Sequence, residues 1–184
     1  MKCHRTELDG VLIIEPQVHR DSRGFLVESY HNERYHDAGI SLDFVQDNHS
    51  SSLAGTLRGL HAQRLEPQGK LVRAIEGEIF DVAVDIRSGS PTFARWVGVN
   101  LSAENFKQIY IPTGYAHGFC VLSERAQVEY KCTALYAPDD QIVVAWDDPD
   151  IGIEWPIAAP TLSDRDSTAP RLRQIEASLP VYES

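Results

Sequence analysis

Apolar and polar residues alternate with a period of two through much of this 184-residue chain. In IFDVAVDIR (79–87), Phe80, Val82, Val84 and Ile86 share one face. Ile79, Asp81, Ala83, Asp85 and Arg87 share the other, the pattern of a strand with one dry face. KLVRAIEGEIFDV reads as two strands joined by a tight turn at Gly77, and TFARWVGVNL, KQIYIP, HGFCVL and QVEYKCTALY read as further strands. Turn signals recur at DSRG, EGE, RSGSP, PTGY and APDD. Only YHNERYHDAG (30–39) and, more weakly, DSTAPRLRQIEASL near the C-terminus read as helical. Short strands at this spacing predict an all-β sandwich or barrel of roughly ten strands. There is no repeat or linker, so residues 1–184 are expected to form a single domain.

Composition narrows the partners. A net charge of −10 argues against nucleic acid, which needs a basic face, while an anionic ligand would need basic residues concentrated locally. The apolar run Val11–Ile14 is too short for a signal peptide, and no stretch approaches a membrane span. Cys3, Cys120 and Cys132 do not follow zinc-site spacing, and they read as reduced, with Cys120 and Cys132 in the core of a cytoplasmic protein.

Against that β-pattern, polar side chains cluster on or beside the predicted strands. DSRGFLVESY carries Arg23 and Glu28; FVQDNHS carries Gln46, Asp47, Asn48 and His49. LRGLHAQ and GKLVR carry Arg58, His61, Gln63, Lys70 and Arg73; PTGYAHGF and EYKCTALY carry His117, Tyr130, Lys131 and Tyr136; LSDRD adds Arg165 and Asp166. Each cluster also has a structural reading, as a satisfied core histidine, a surface ion pair or a packing tyrosine. Parity offers a test. On a regular strand Tyr130 and Tyr136 share a face with Val128 and Cys132, whereas Arg58 and His61, three apart, point to opposite faces. For both to reach one cavity the strand must bulge, and Gly59 is the residue that would permit it.

PTGYAHG matches the P-x-G-x-x-H pattern of the second cupin motif, but His61-Ala62-Gln63 lacks the second histidine of the first motif, and no metal is expected.

FVQDNHSSS, LRGLHAQ, GKLVRAIEGEIFDVAVDIRSGSPTF, LSAEN, YIPTGYAHGFCVLSE, EYKCT and WDDPDIGIEWP occur in order over about residues 8–172. Together they resemble the dTDP-4-dehydrorhamnose 3,5-epimerase family. The resemblance implies a cupin-type jelly-roll β-sandwich with short helices near the N- and C-termini. It further implies a homodimer and catalysis with no metal or organic cofactor. The implied reaction converts dTDP-4-dehydro-6-deoxy-D-glucose to dTDP-4-dehydro-L-rhamnose by inversion at C3 and C5. The alternatives are a single-centre epimerase of a related sugar and a non-catalytic cupin that binds a sugar nucleotide.

By the same resemblance His61 is the general base, Asp166 its carboxylate partner, Lys70 the cation beside the C4 oxygen and Tyr130 the acid. Arg23, Phe25, Glu28, Gln46, Asp47, Asn48, Arg58, Gln63, His117, Gln141 and Arg165 fall at ligand-contact positions, and Tyr136 at the residue that stacks on thymine. The segment around Arg23 and Glu28 is expected to serve the partner chain's site. Three positions depart from the family pattern. Arg165 stands where many members have Lys, and Gln141 lies near a position that is often Glu. Ala62 replaces an aromatic residue, a change expected either to widen the pocket or to be compensated elsewhere, and so to bear on how many centres are inverted.

Overall fold

The computed structural model describes residues 1–182. Thirteen strands form: β1 (Lys2–Arg5), β2 (Leu12–Glu15), β3 (Val18–Asp21), β4 (Gly24–Val27), β5 (Gln46–Leu53), β6 (Leu57–Gln63), β7 (Lys70–Glu76), β8 (Glu78–Asp85), β9 (Trp96–Ser102), β10 (Gln108–Ile111), β11 (Tyr115–Val121), β12 (Arg125–Cys132) and β13 (Gln141–Val143). The excess over the expected ten comes from short strands such as β1 and β13, too brief to show alternation. A six-stranded sheet, β1-β2-β10-β7-β12-β5, faces a five-stranded sheet, β13-β6-β11-β8-β9, and β3 and β4 form a separate two-stranded ribbon turning at DSRG. Every pairing between strands is antiparallel.

Helix α1 (Asn32–Asp37) forms where expected, burying Tyr35. The C-terminal segment is less regular: α2 (Asp164–Ser167) is followed by a 3-10 stretch at Leu172–Ser178, with Pro170 between them. The turn at Gly77 is present, but it passes the chain from one sheet to the other instead of closing a hairpin.

The expectation of one dry face on β8 is corrected, because both faces are dry. Ile79 and Ala83 pack between the sheets with Val72, Ile109, Phe119 and Val128. Val82, Val84 and Ile86 pack outward under Ile151, Trp155, Leu172 and Leu179, so the C-terminal segments roof the five-stranded sheet. Across the molecule, α1 roofs the six-stranded sheet through Tyr35, which meets Leu12, Ile14, Leu71 and Tyr110. Asp81 and Asp85 therefore lie wholly inside the protein. Cys120 and Cys132 are buried free thiols, as expected, and Cys3 is exposed.

Candidate active site

The two sheets do not meet along their whole width. Toward the edge where β5, β12 and β7 face β13, β6 and β11, the inward positions turn polar and enclose a cavity of about 760 Å³. From the six-stranded sheet come Gln46, Asn48, Lys70 and Tyr130; from the five-stranded sheet come Arg58, His61, His117 and Gln141. Tyr136 enters from the loop after β12, and Arg165 and Asp166 enter from α2.

Strand β6 carries the irregularity this needs. Its pairing with β11 runs His61↔His117 and then Arg58↔Phe119, so β6 holds one residue more than its partner across the same stretch. That bulge turns Arg58 and His61 to the same side. Gly59 makes it possible: its φ is +123°, and a Cβ there would stand 2.6 Å from the Gly118 Cα. Tyr130 and Tyr136 do line one cavity, but not by strand parity. β12 ends at Cys132, and Tyr136 reaches the cavity from the loop, half exposed.

His61 Nε2 meets Asp166 Oδ1 at 2.6 Å. The two residues are 105 positions apart, and the chain joins them by a parallel bridge between Thr56 and Thr161, after which Ser163 caps α2 by accepting from the Asp166 amide. Burial works to raise the Asp166 carboxyl, but bonds from His61, Ser163 and the Gly59 amide outweigh it and hold the group below its ordinary range. With Nε2 bound to a carboxylate, His61 Nδ1 is left without a partner among the described residues. This is the arrangement of a base whose tautomer is set from behind.

A second histidine stands directly across the strand pair. His117 Nε2 bonds Asp81 Oδ2 at 2.9 Å, both side chains buried, and Asp81 Oδ1 has no partner among the described residues. Burial pushes the Asp81 carboxyl up, against the opposing effect of His117. Asp81 was not among the sequence candidates. Its signal was present, as an acidic residue in a run of Ile, Phe and Val, where a charge is costly unless partnered.

Lys70 is 8% exposed, its ammonium aimed at the His61 carbonyl at 3.5 Å, and burial lowers its pKa. Tyr130 is raised, chiefly by burial. Arg58 donates from Nε to Ser52 Oγ and forms no ion pair among the described residues. Arg165 bonds Gln141 across the mouth. The lining thus holds Arg58, Lys70, Arg165 and two histidines against one carboxylate, Asp166, which is the local cation excess an anion needs in an acidic chain.

Five of the expected contact residues do not line this cavity. Arg23, Phe25 and Glu28 lie on or just after the ribbon, where Arg23 pairs with Asp21, Glu28 with Arg34, and Phe25 is 58% exposed. Asp47 points away from the cavity and pairs with Lys131 at 2.9 Å, because Gln46 and Asn48 on the same strand point in. Gln63 is buried and spends its amide on backbone groups. Ala62 also lies outside the lining. It packs in the outer apolar cluster opposite Ile142, so its departure from the family pattern does not widen the pocket. Gln68, Phe119 and Ser163 line the cavity without having been singled out. Among the described residues no group of three or more His, Cys, Asp or Glu side chains is placed to share a metal ion. Likewise none of the helices among the described residues is long and apolar enough to cross a membrane.

Comparison with known proteins bears on this cavity. The sequence model of the family described as dTDP-4-dehydrorhamnose 3,5-epimerase matches residues 5–174. The dTDP-4-dehydrorhamnose 3,5-epimerase of Shigella flexneri is 55% identical over 169 residues, covering 90% of this chain and 93% of that protein. Among solved structures, the dTDP-6-deoxy-D-glucose-3,5-epimerase of Legionella pneumophila in complex with dTDP-4-keto-L-rhamnose superposes with a TM-score of 0.97 at 49% identity, covering 100% of this chain and 99% of that one. A 3'-monoepimerase of Streptomyces bikiniensis in complex with dTDP-quinovose superposes with a TM-score of 0.92 at 38% identity, covering 97% and 93%.

Proposed function

This chain belongs to the dTDP-4-dehydrorhamnose 3,5-epimerase family, and we propose that it converts dTDP-4-dehydro-6-deoxy-D-glucose to dTDP-4-dehydro-L-rhamnose in the cavity between its sheets. The observation that carries the reading is the convergence of His61, Lys70 and Tyr130 from two opposed sheets on one cavity, with Asp166 behind His61.

The C3 and C5 protons flank a ketone at C4. His61 Nδ1 takes one of them, and the C–H electron pair moves onto the C4 oxygen to give an enolate. The Lys70 ammonium stabilises that oxyanion, whose charge exists only after proton loss, so its effect is largest in the transition state. His61 belongs to the five-stranded sheet and Tyr130 to the six-stranded one, so a sugar held between them presents opposite faces to the two groups. The Tyr130 hydroxyl returns a proton to the face away from His61, and the centre is inverted. His61 then gives its proton to solvent water, and the Tyr130 phenolate takes one from it, before the second centre reacts. Burial keeps that phenol protonated near neutral pH, as a donor must be. Arg58 and Arg165 hold the diphosphate, for which planar guanidinium groups are suited. Tyr136 stacks on thymine. The exposed ribbon, with Arg23, Phe25 and Glu28 outside their own chain's cavity, serves the cavity of a second copy in a homodimer working in the cytoplasm.

Proton NMR in D₂O with dTDP-4-dehydro-6-deoxy-D-glucose tests the reading. Deuterium is expected at both C3 and C5, and His61→Ala is expected to remove exchange at both carbons while leaving dTDP binding intact. Exchange at one carbon only would make the protein a single-centre epimerase, the activity named for the S. bikiniensis neighbour. Exchange at neither carbon would overturn the enzymatic reading.

A further inference from the structure

Tyr136 sits on an irregular segment, yet its backbone is tied down. Strand β6 supplies the anchor. Gln63, the last residue of β6, is 5% exposed. Its Nε2 donates to the carbonyl of Leu135 at 3.1 Å and of Glu66 at 2.7 Å, and its Oε1 accepts from the amide of Ala137 at 2.9 Å. One buried side chain therefore grips the residues on both sides of Tyr136 and the neighbouring loop as well. Both amide hydrogens and one oxygen lone pair are used, which leaves Gln63 little capacity to bind a ligand. Gln46 adds a second hold by accepting from the Tyr136 amide at 2.8 Å.

Gln63 lies two residues beyond His61 on the same strand, so β6 carries the reacting imidazole and the anchor of the aromatic loop on one stiff element. We infer that Gln63 is a positioning residue that sets Tyr136 at a fixed distance from His61 and thereby selects sugar nucleotides by their base. The inference rests on the proposed contact between Tyr136 and the nucleobase. Without the three bonds Gln46 still holds the Tyr136 amide, but more of the ordering of the loop falls to the ligand, and that cost is taken from binding affinity.

The test combines Gln63→Met, Tyr136→Ala and the double variant, read by calorimetric titration with dTDP and dUDP, which differ only in the base, and by steady-state kinetics. Methionine keeps the bulk and removes all three bonds. Gln63→Met is expected to weaken dTDP binding and raise KM by about tenfold, the loss of roughly one stacking contact. Its preference for dTDP over dUDP falls, while kcat at saturation stays within about twofold, which a general loss of folding would not spare. Because Gln63 acts through Tyr136, the double variant binds dTDP no worse than the weaker single variant. Wild-type dTDP affinity in Gln63→Met, a loss of kcat without a change in KM, or strict additivity in the double variant would overturn the inference. Normal dTDP affinity in Tyr136→Ala would instead remove the base contact, and with it the role assigned to Gln63.

Discussion

Two histidine–carboxylate couples present their imidazoles to the cavity, and they are built differently. His61 and Asp166 meet at 2.6 Å at the mouth, where the imidazole is 29% exposed and the carboxylate arrives from the distant segment around α2. His117 and Asp81 meet at 2.9 Å inside the sandwich, 8% and 0% exposed, both on strands of one sheet. Asp166 is stabilised as an anion by three donors, whereas Asp81 has one bonded oxygen and one without a partner among the described residues. The two histidines face each other across β6 and β11, so position on the strand does not distinguish them. What differs is how much charge each carboxylate can hold. A well-supported anion suits a histidine that must gain a proton during the reaction, since it stabilises the imidazolium that forms. A poorly supported, buried carboxylate suits a histidine whose orientation is held and whose charge stays the same.

The largest break in this comparison is expected from Asp166→Asn. It keeps the shape but removes the anion behind the base, and kcat should fall by about 10²–10³-fold with dTDP affinity unchanged. A loss in affinity alone would make Asp166 a binding group. Asp81→Asn is expected to cost less, roughly tenfold in kcat/KM, because Asp81 reaches the cavity only through His117. A loss as large as that of Asp166→Asn would mean that His117 also changes charge in the reaction.

The smallest effect is one of sign, read from thermal unfolding against pH. The Asp166 carboxyl is lowered in the fold from its ordinary 3.8, so the stability it confers is present above that value and lost as pH falls through the folded-state value. The Asp81 carboxyl is raised from 3.8, so the folded state binds more protons between the two values, and stability falls as pH rises through that window. The Tm gap between wild type and Asp166→Asn should therefore shrink on acidification, and the gap between wild type and Asp81→Asn should shift against wild type as pH rises from about 4. Parallel trends in the two variants would erase the distinction between the couples.

Alternation carried much of the fold, because a strand between two dry layers repeats every second residue whatever lies beyond it. Phe80, Val82 and Val84 could be assigned to one face from order alone, and Gly59 could be picked out because Arg58 and His61 are an odd number apart. Family resemblance then led to His61, Lys70, Tyr130 and Asp166, and the cavity brings all four together. Asp47 shows where parity was decisive but unused, since its neighbours Gln46 and Asn48 could only point the other way. Gln63 and Ala62 could not be resolved, because side-chain direction at the end of a strand depends on what the next loop offers.

Local order along the chain thus determined the strands, the turns and the need for a bulge at Gly59, since these depend on backbone geometry and near neighbours. Tertiary structure alone decided the rest. The C-terminal segments roof the five-stranded sheet and turn the second face of β8 dry, while α1 roofs the six-stranded sheet. Asp166 comes to His61 across 105 residues, and Asp81 ends as a buried carboxylate beside His117. Each of these depends on desolvation and on distance, which come into being only when the two sheets close on one another.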